Sequence, residues 1–212
     1  MRKDGVVEAL DDGQRAVIRG SIPAHVTEER KRQSVRIKVW ATSPEAVERA
    51  VERALTEAQV PDLDHVVVAP GGDLADKATV AAIWARLTRL RDAGKIVKAG
   101  LADLPLARVK EVLADGAAGL KYLQIGTEAY NDEELEEVYA LAGVHDFEVI
   151  THGASQAEGV CGAKSDVVTK HLAADGLVLD WAARLVIILD CRSVLASLSF
   201  LIHGVRGPEN AQ

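Results

Sequence analysis

With 212 residues, the chain is long enough for one sizeable domain and short for two. Hydrophobic residues make up 48% and charged residues 27%, the balance of a globular chain. The net charge of −7 argues against a nucleic-acid or anionic-membrane footprint, and the two cysteines, Cys161 and Cys191, argue against a disulfide framework or a zinc site. Nothing at the N-terminus, "MRKDGVVEALDDGQ", has the apolar stretch of a secretory signal. The longest apolar run, "LVIILDC", is too short to cross a bilayer, so the expected setting is cytoplasmic.

In chain order, residues 1–33 read as a mixed, irregular segment in which "RAVIRGSI" has strand character and "TEERKRQ" is a charged turn or short helix. A regular rhythm begins at Ser34. "SVRIKVW" alternates as a strand does, and "TSPEAVERAVERALTEA" follows as a helix, with Thr42 and Glu45 spaced as a capping box and Pro44 in the first turn. "LDHVVVAP" is a short apolar strand. "KATVAAIWARLTRLRDAG" is a helix whose inward face is Val80, Ile83, Trp84, Leu87 and Leu90, with Gly94 as its stop. "KIVKAGLA" (strand), "LPLARVKEVLADG" (helix) and "LKYLQIGT" (strand) continue the alternation. Asn131 and Glu134 frame the helix "DEELEEVYALAG", and "FEVITHG" is the fifth strand. Residues 154–176 interrupt the rhythm as a loop with a short helix near Asp166 to Ala174. In the tail, "WAARLVIILDCRSVLASLSFLIHG" is expected to give a short helix and then two strands.

Five strands separated by helices, apolar on both faces, predict a parallel sheet covered by helices. No Gly-x-Gly-x-x-Gly follows any strand, which favours a (β/α) barrel over a doubly wound sheet. A complete barrel takes roughly 250 residues, so this one is expected to be incomplete or opened. The expected organisation is a single domain over 1–212, with an irregular segment at 1–33, repeated βα units over 34–153, and a C-terminal helix and strand pair over 177–204.

Lys38 stands in the middle of the first regular strand, where an unpaired ammonium is costly to bury. It is either a lysine whose head reaches solvent or half of an internal ion pair with Asp64 or Asp103. Gln124 is either a pocket residue or an ordinary buried amide. His152, at a strand end, is a site residue or a structural one. The histidines have no metal-ligand spacing, and "GVCGAKSD" lacks the spacing of a phosphate-binding loop.

The wording and order of "IKVW", "LDHVVVAP", "AGKIVKAGLADL" and "LKYLQIGTEAYNDEELEEVYAL" resemble the aldo-keto reductases, over roughly residues 34–153. The resemblance implies a (β/α)8 barrel in which a tyrosine donates a proton, a lysine held by an aspartate makes that tyrosine more acidic, and a histidine orients the carbonyl for hydride transfer from NADPH. Lys38 falls on the lysine position. The histidine position is Ala69, the nicotinamide-facing Ser-Asn is Ala102-Asp103, and no tyrosine precedes Tyr122. On this comparison Lys38, Ala69, Asp103, Gln124 and His152 line a vestigial pocket. No residue is assigned a catalytic role, and no metal or cofactor is expected.

Within that superfamily the chain is more similar to the regulatory subunits of glutamate–cysteine ligase. The shared features are the strand "LDHVVVAP" without its histidine, "FEVITHG" ending in Thr151-His152, and the tail containing Trp181, Arg184 and Arg192. The resemblance implies a noncatalytic partner of the ligase catalytic chain, with Trp181, Arg184 and Arg192 as interface candidates. The alternatives are a reductase using Tyr122 or Tyr130 as an unconventional proton donor, and a barrel-derived module for an unrelated partner.

Overall fold

The computed structural model describes residues 6–9, 15–19, 30–70, 76–116, 119–126, 129–152, 172–174, 176–189 and 194–206. The strands are β1 (Val6–Ala9), β2 (Arg15–Arg19), β3 (Gln33–Ala41), β4 (Leu63–Pro70), β5 (Ile96–Ala102), β6 (Leu120–Gly126), β7 (Glu148–His152), β8 (Leu177–Leu189) and β9 (Val194–Arg206). The helices between the central strands are α1 (Pro44–Ala58), α2 (Lys77–Asp92), α3 (Leu106–Ala114) and α4 (Asp132–His145). All the strands belong to one sheet, in the order β1-β2-β9-β8-β3-β4-β5-β6-β7.

From β3 to β7 the pairing is parallel and follows chain order without reversal. A doubly wound sheet reverses its strand order, whereas a (β/α) barrel does not. One apolar core joins Val35, Ile37 and Val39 of β3 to Val51 of α1, Leu87 of α2, Val109 of α3 and Val138 of α4, so all four helices cover the same face. The fold class is α/β, and the architecture is an incomplete (β/α)8 barrel. Among the described residues β1 and β7 each have a single neighbour, and the sheet is open there.

Local chemistry explains the helix boundaries. Ser43, not Thr42, caps α1: its side chain accepts from the Ala46 amide, and Pro44 opens the helix. Thr42 instead donates its hydroxyl to the Asp180 carbonyl at 2.9 Å. Glu45 turns to Arg86 at 3.0 Å. Both halves of the Asn131–Glu134 capping box form at α4.

Two expectations are corrected. Residues 1–33 are not an irregular segment throughout: β2 forms where "RAVIRGSI" has strand character, an unexpected β1 pairs with it, and both join the sheet through β9. "WAARLVIIL" is not a helix. It lies within β8, antiparallel to β3 from Gln33↔Leu189 to Ala41↔Trp181. Ala182 and Ala183 are good helix formers, but burial follows period two. Trp181, Ala183, Leu185 and Ile187 join the helix-side core, and the residues between them face the other way. Tertiary pairing overrides local propensity here. The "GVCGAKSD" loop and both cysteines lie outside the described residues.

Candidate functional site

The face of the sheet away from the helices is hollow. Arg36, Lys38, Val67, Tyr122, Ile150 and Arg184 line one cavity of about 190 Å³. β7 and β8 both contribute to it although they lie five strand spacings apart in the sheet order, about 24 Å if the sheet were flat. Sharing one cavity requires the sheet to curl, as a barrel wall does.

Parity positions these side chains. Arg36, Lys38 and Trp40 alternate with the sealed Val35, Ile37 and Val39, and their register partners on β4 are His65, Val67 and Ala69. On β8 the residue opposite Lys38 is Arg184. Further round, Gly100 pairs with Tyr122, and Gln124 with Ile150.

Lys38 is 10% exposed in its side chain, and its Nζ donates to Asp103 Oδ2 at 2.8 Å. Asp103 follows β5 with a left-handed backbone (φ 57°), a conformation aspartate tolerates better than most residues. Its amide donates to the Gln124 carbonyl. Asp64, the other possible partner for Lys38, is engaged elsewhere: it accepts from the Val35 amide and pairs with Arg30.

A second polar cluster lies nearer the N-terminal ends of β4, β5 and β6. Lys98 Nζ donates to Tyr122 Oη at 3.2 Å, which leaves the Tyr122 hydroxyl able to donate to His65 Nε2 at 3.1 Å. The His65 and Tyr122 rings lie 4.6 Å apart between centroids. Gly100 makes this possible, because a Cβ there would come within 2.6 Å of the Tyr122 carbonyl oxygen. Tyr130, the other tyrosine considered as a donor, is tied by its hydroxyl to the Leu104 carbonyl. Burial pushes its phenol up to about 12, away from the range useful to a general acid.

Lys38, Gln124 and Arg184 come together in the cavity, with Asp103 bonded to Lys38. Ala69 is buried in a small cluster with Trp40, Val67, Ala102 and Tyr122 and brings no polar group. His152 ends β7 opposite Gly126, and its side chain lies outside what is described. Arg192 lies outside the described residues. Trp181, expected at an interface, is 2% exposed in the helix-side core and stacks on His203, so it presents no surface of its own to a partner. Beside it the Asp180 carboxylate receives Arg49 and His203 Nδ1 at 2.8 and 2.9 Å. Burial pushes the Asp180 carboxyl up, but those hydrogen bonds outweigh it and hold the group below its ordinary value. Among the described residues no three His, Cys, Asp or Glu side chains gather as a metal site, and no helix is long and apolar enough to cross a membrane.

Arg36, His65, Lys98 and Gly100 belong to no motif. Their signal is adjacency: each stands next in its strand to a helix-side core residue, Val35 and Ile37, Val66, Ala99, and Ala99 and Leu101 in turn.

No family model matches the chain, and no curated protein matches it by sequence. Solved structures similar to it are aldo-keto reductases. One from Brucella melitensis is 17% identical with a TM-score of 0.43, over 53% of this chain and 42% of that one. One from Bacillus halodurans is 21% identical with a TM-score of 0.43, over 53% and 37%. A glycerol dehydrogenase from Gluconobacter oxydans is 18% identical with a TM-score of 0.44, over 57% and 36%. In each case the match spans less than half of the neighbour's length.

Proposed function

We propose that this chain is a noncatalytic regulatory subunit that binds and activates the glutamate–cysteine ligase catalytic chain in glutathione synthesis, the role its sequence resemblance implies. One observation carries the noncatalytic part. The lysine at the reductase position bonds the carboxylate of Asp103, as the family's lysine bonds an aspartate, but the phenol in the same hollow, Tyr122, bonds Lys98 and His65 instead, and the imidazole position is the buried Ala69. Among the described residues no phenol is hydrogen-bonded to Lys38, and loss of the acid alone costs about 10²–10⁴-fold in rate. Regulation then works by population shift. A subunit that binds one conformer of the ligase better moves it by that difference in affinity, on the order of 1–3 kcal/mol. The test is a ligase assay with and without the chain. Saturating chain is expected to lower the glutamate KM and to weaken inhibition by glutathione; unchanged values would reject the reading.

A second reading is favoured by a different observation. Tyr122, Lys98 and His65 bring a phenol, an ammonium and an imidazole into hydrogen-bonding range, the groups that carbonyl reduction uses. They sit near the N-terminal ends of β4, β5 and β6, however, whereas barrel active sites lie at the C-terminal ends. NADPH-dependent turnover of a small aldehyde that is lost in Tyr122→Phe would establish this reading in place of the first.

A further inference from the structure

Lys38 and Arg184 stand directly opposite one another across the antiparallel β3–β8 pair. Like charges in that position are destabilising. Asp103 neutralises the first, but among the described residues no carboxylate pairs with Arg184. One turn of the register away, Arg36 spends its Nε on Ser34 Oγ at 2.8 Å and has no carboxylate partner among the described residues. The chain as a whole carries 32 acidic residues against 25 basic ones, yet among the described residues no acidic side chain lines this cavity. Arg184 is partly buried and Arg36 stands exposed at the same hollow, so an anion seated there gains two charge-assisted partners.

We propose that the hollow is a binding site for a small organic anion with an apolar body. The guanidinium groups of Arg36 and Arg184, whose planar forks match a carboxylate or phosphate, hold the charged end, with Lys38 beside them. Apolar side chains are interleaved with the cations, Val186 beside Arg36, Val67 beside Lys38 and Ile188 further along β8, and Ile150 on β7 completes the apolar lining. The volume of about 190 Å³ exceeds the roughly 150 Å³ known to take a benzene ring, so an aromatic carboxylate or phosphate monoester is of fitting size. This site is independent of whether the chain regulates a ligase. It needs only the curl of the sheet and the charge pattern of β3 and β8.

Calorimetric titration of the full chain at low salt tests it, with benzoate, phenyl phosphate and the neutral isostere benzamide as probes. Saturable one-to-one binding of benzoate, phenyl phosphate or both is expected, and which one binds identifies the class of anion. Benzamide should bind at least about tenfold more weakly. Arg184→Gln and Arg36→Gln should each weaken the anion by about tenfold, the loss of one charge-assisted hydrogen bond. Lys121→Gln, which removes only an exposed pair with Asp146, should leave binding unchanged. If Arg184→Gln fails to fold, the exposed Arg36 carries the test. No saturation with either anion, equal affinity for benzamide, or full affinity in folded arginine variants would each overturn the proposal.

Discussion

On β3, Val35, Ile37 and Val39 are sealed beneath the helices, while Arg36, Lys38 and Trp40 between them look into the hollow. The same contrast runs round the sheet. The helix face is a continuous apolar core that takes in all four helices. The hollow face sets cations, a tyrosine and a histidine among partly exposed apolar residues such as Ile150 and Phe200. In a closed barrel both faces would be core. Here the open edge leaves one face to hold the structure together and the other free to bind, which predicts that substitutions on the two faces have different consequences.

The largest effect is expected from Leu87→Ala, at a fully buried position under α2, which should lower unfolding free energy in urea by about 3–4 kcal/mol. Arg36→Gln should move it by less than about 0.5 kcal/mol. Equal losses would erase the division between the faces.

Next is Asp180→Ala. It strands Arg49 and His203, and because Arg49 is partly exposed the cost should fall at the lower end for a broken buried pair, about 3 kcal/mol. The same group predicts the acid limb. Its native value lies below the ordinary 3.8, so its contribution is complete above that value and fades as pH falls through the lower native one. Asp180→Asn should flatten that part of the stability–pH curve; an unchanged slope would place the acid sensitivity elsewhere.

Gly100→Ala should cost about 1–3 kcal/mol through overpacking and shift the tyrosine signal in near-ultraviolet circular dichroism as Tyr122 moves. A silent substitution would mean that Tyr122 does not depend on the missing Cβ. A smaller effect is expected for Lys38→Met, which replaces one half of a partly buried pair and should stay within about 1 kcal/mol in thermal or urea unfolding, since packed apolar atoms offset the lost pair. A much larger loss would make Lys38 a structural keystone rather than a remnant.

The faces also differ in how legible they were. The helix face was written in periodicity: Val80, Ile83, Leu87 and Leu90 are buried as their spacing predicts, and Asn131 and Glu134 cap α4. The hollow depends on register between distant strands, which no local pattern carries. Lys38 meets Asp103 rather than Asp64 because Asp64 is held by Arg30 and the Val35 amide. Trp181 read as an interface residue because aromatics favour interfaces, yet β8 turns it inward against His203. The helix expected at "WAARLV" does not form for the same reason, since pairing with β3, invisible in local sequence, decides its conformation.

The most direct test of the regulatory account is sedimentation velocity of the chain mixed with the glutamate–cysteine ligase catalytic chain at micromolar concentration. The account predicts a single heterodimeric boundary that neither component gives alone. Two boundaries, each sedimenting as in its separate run, would contradict it.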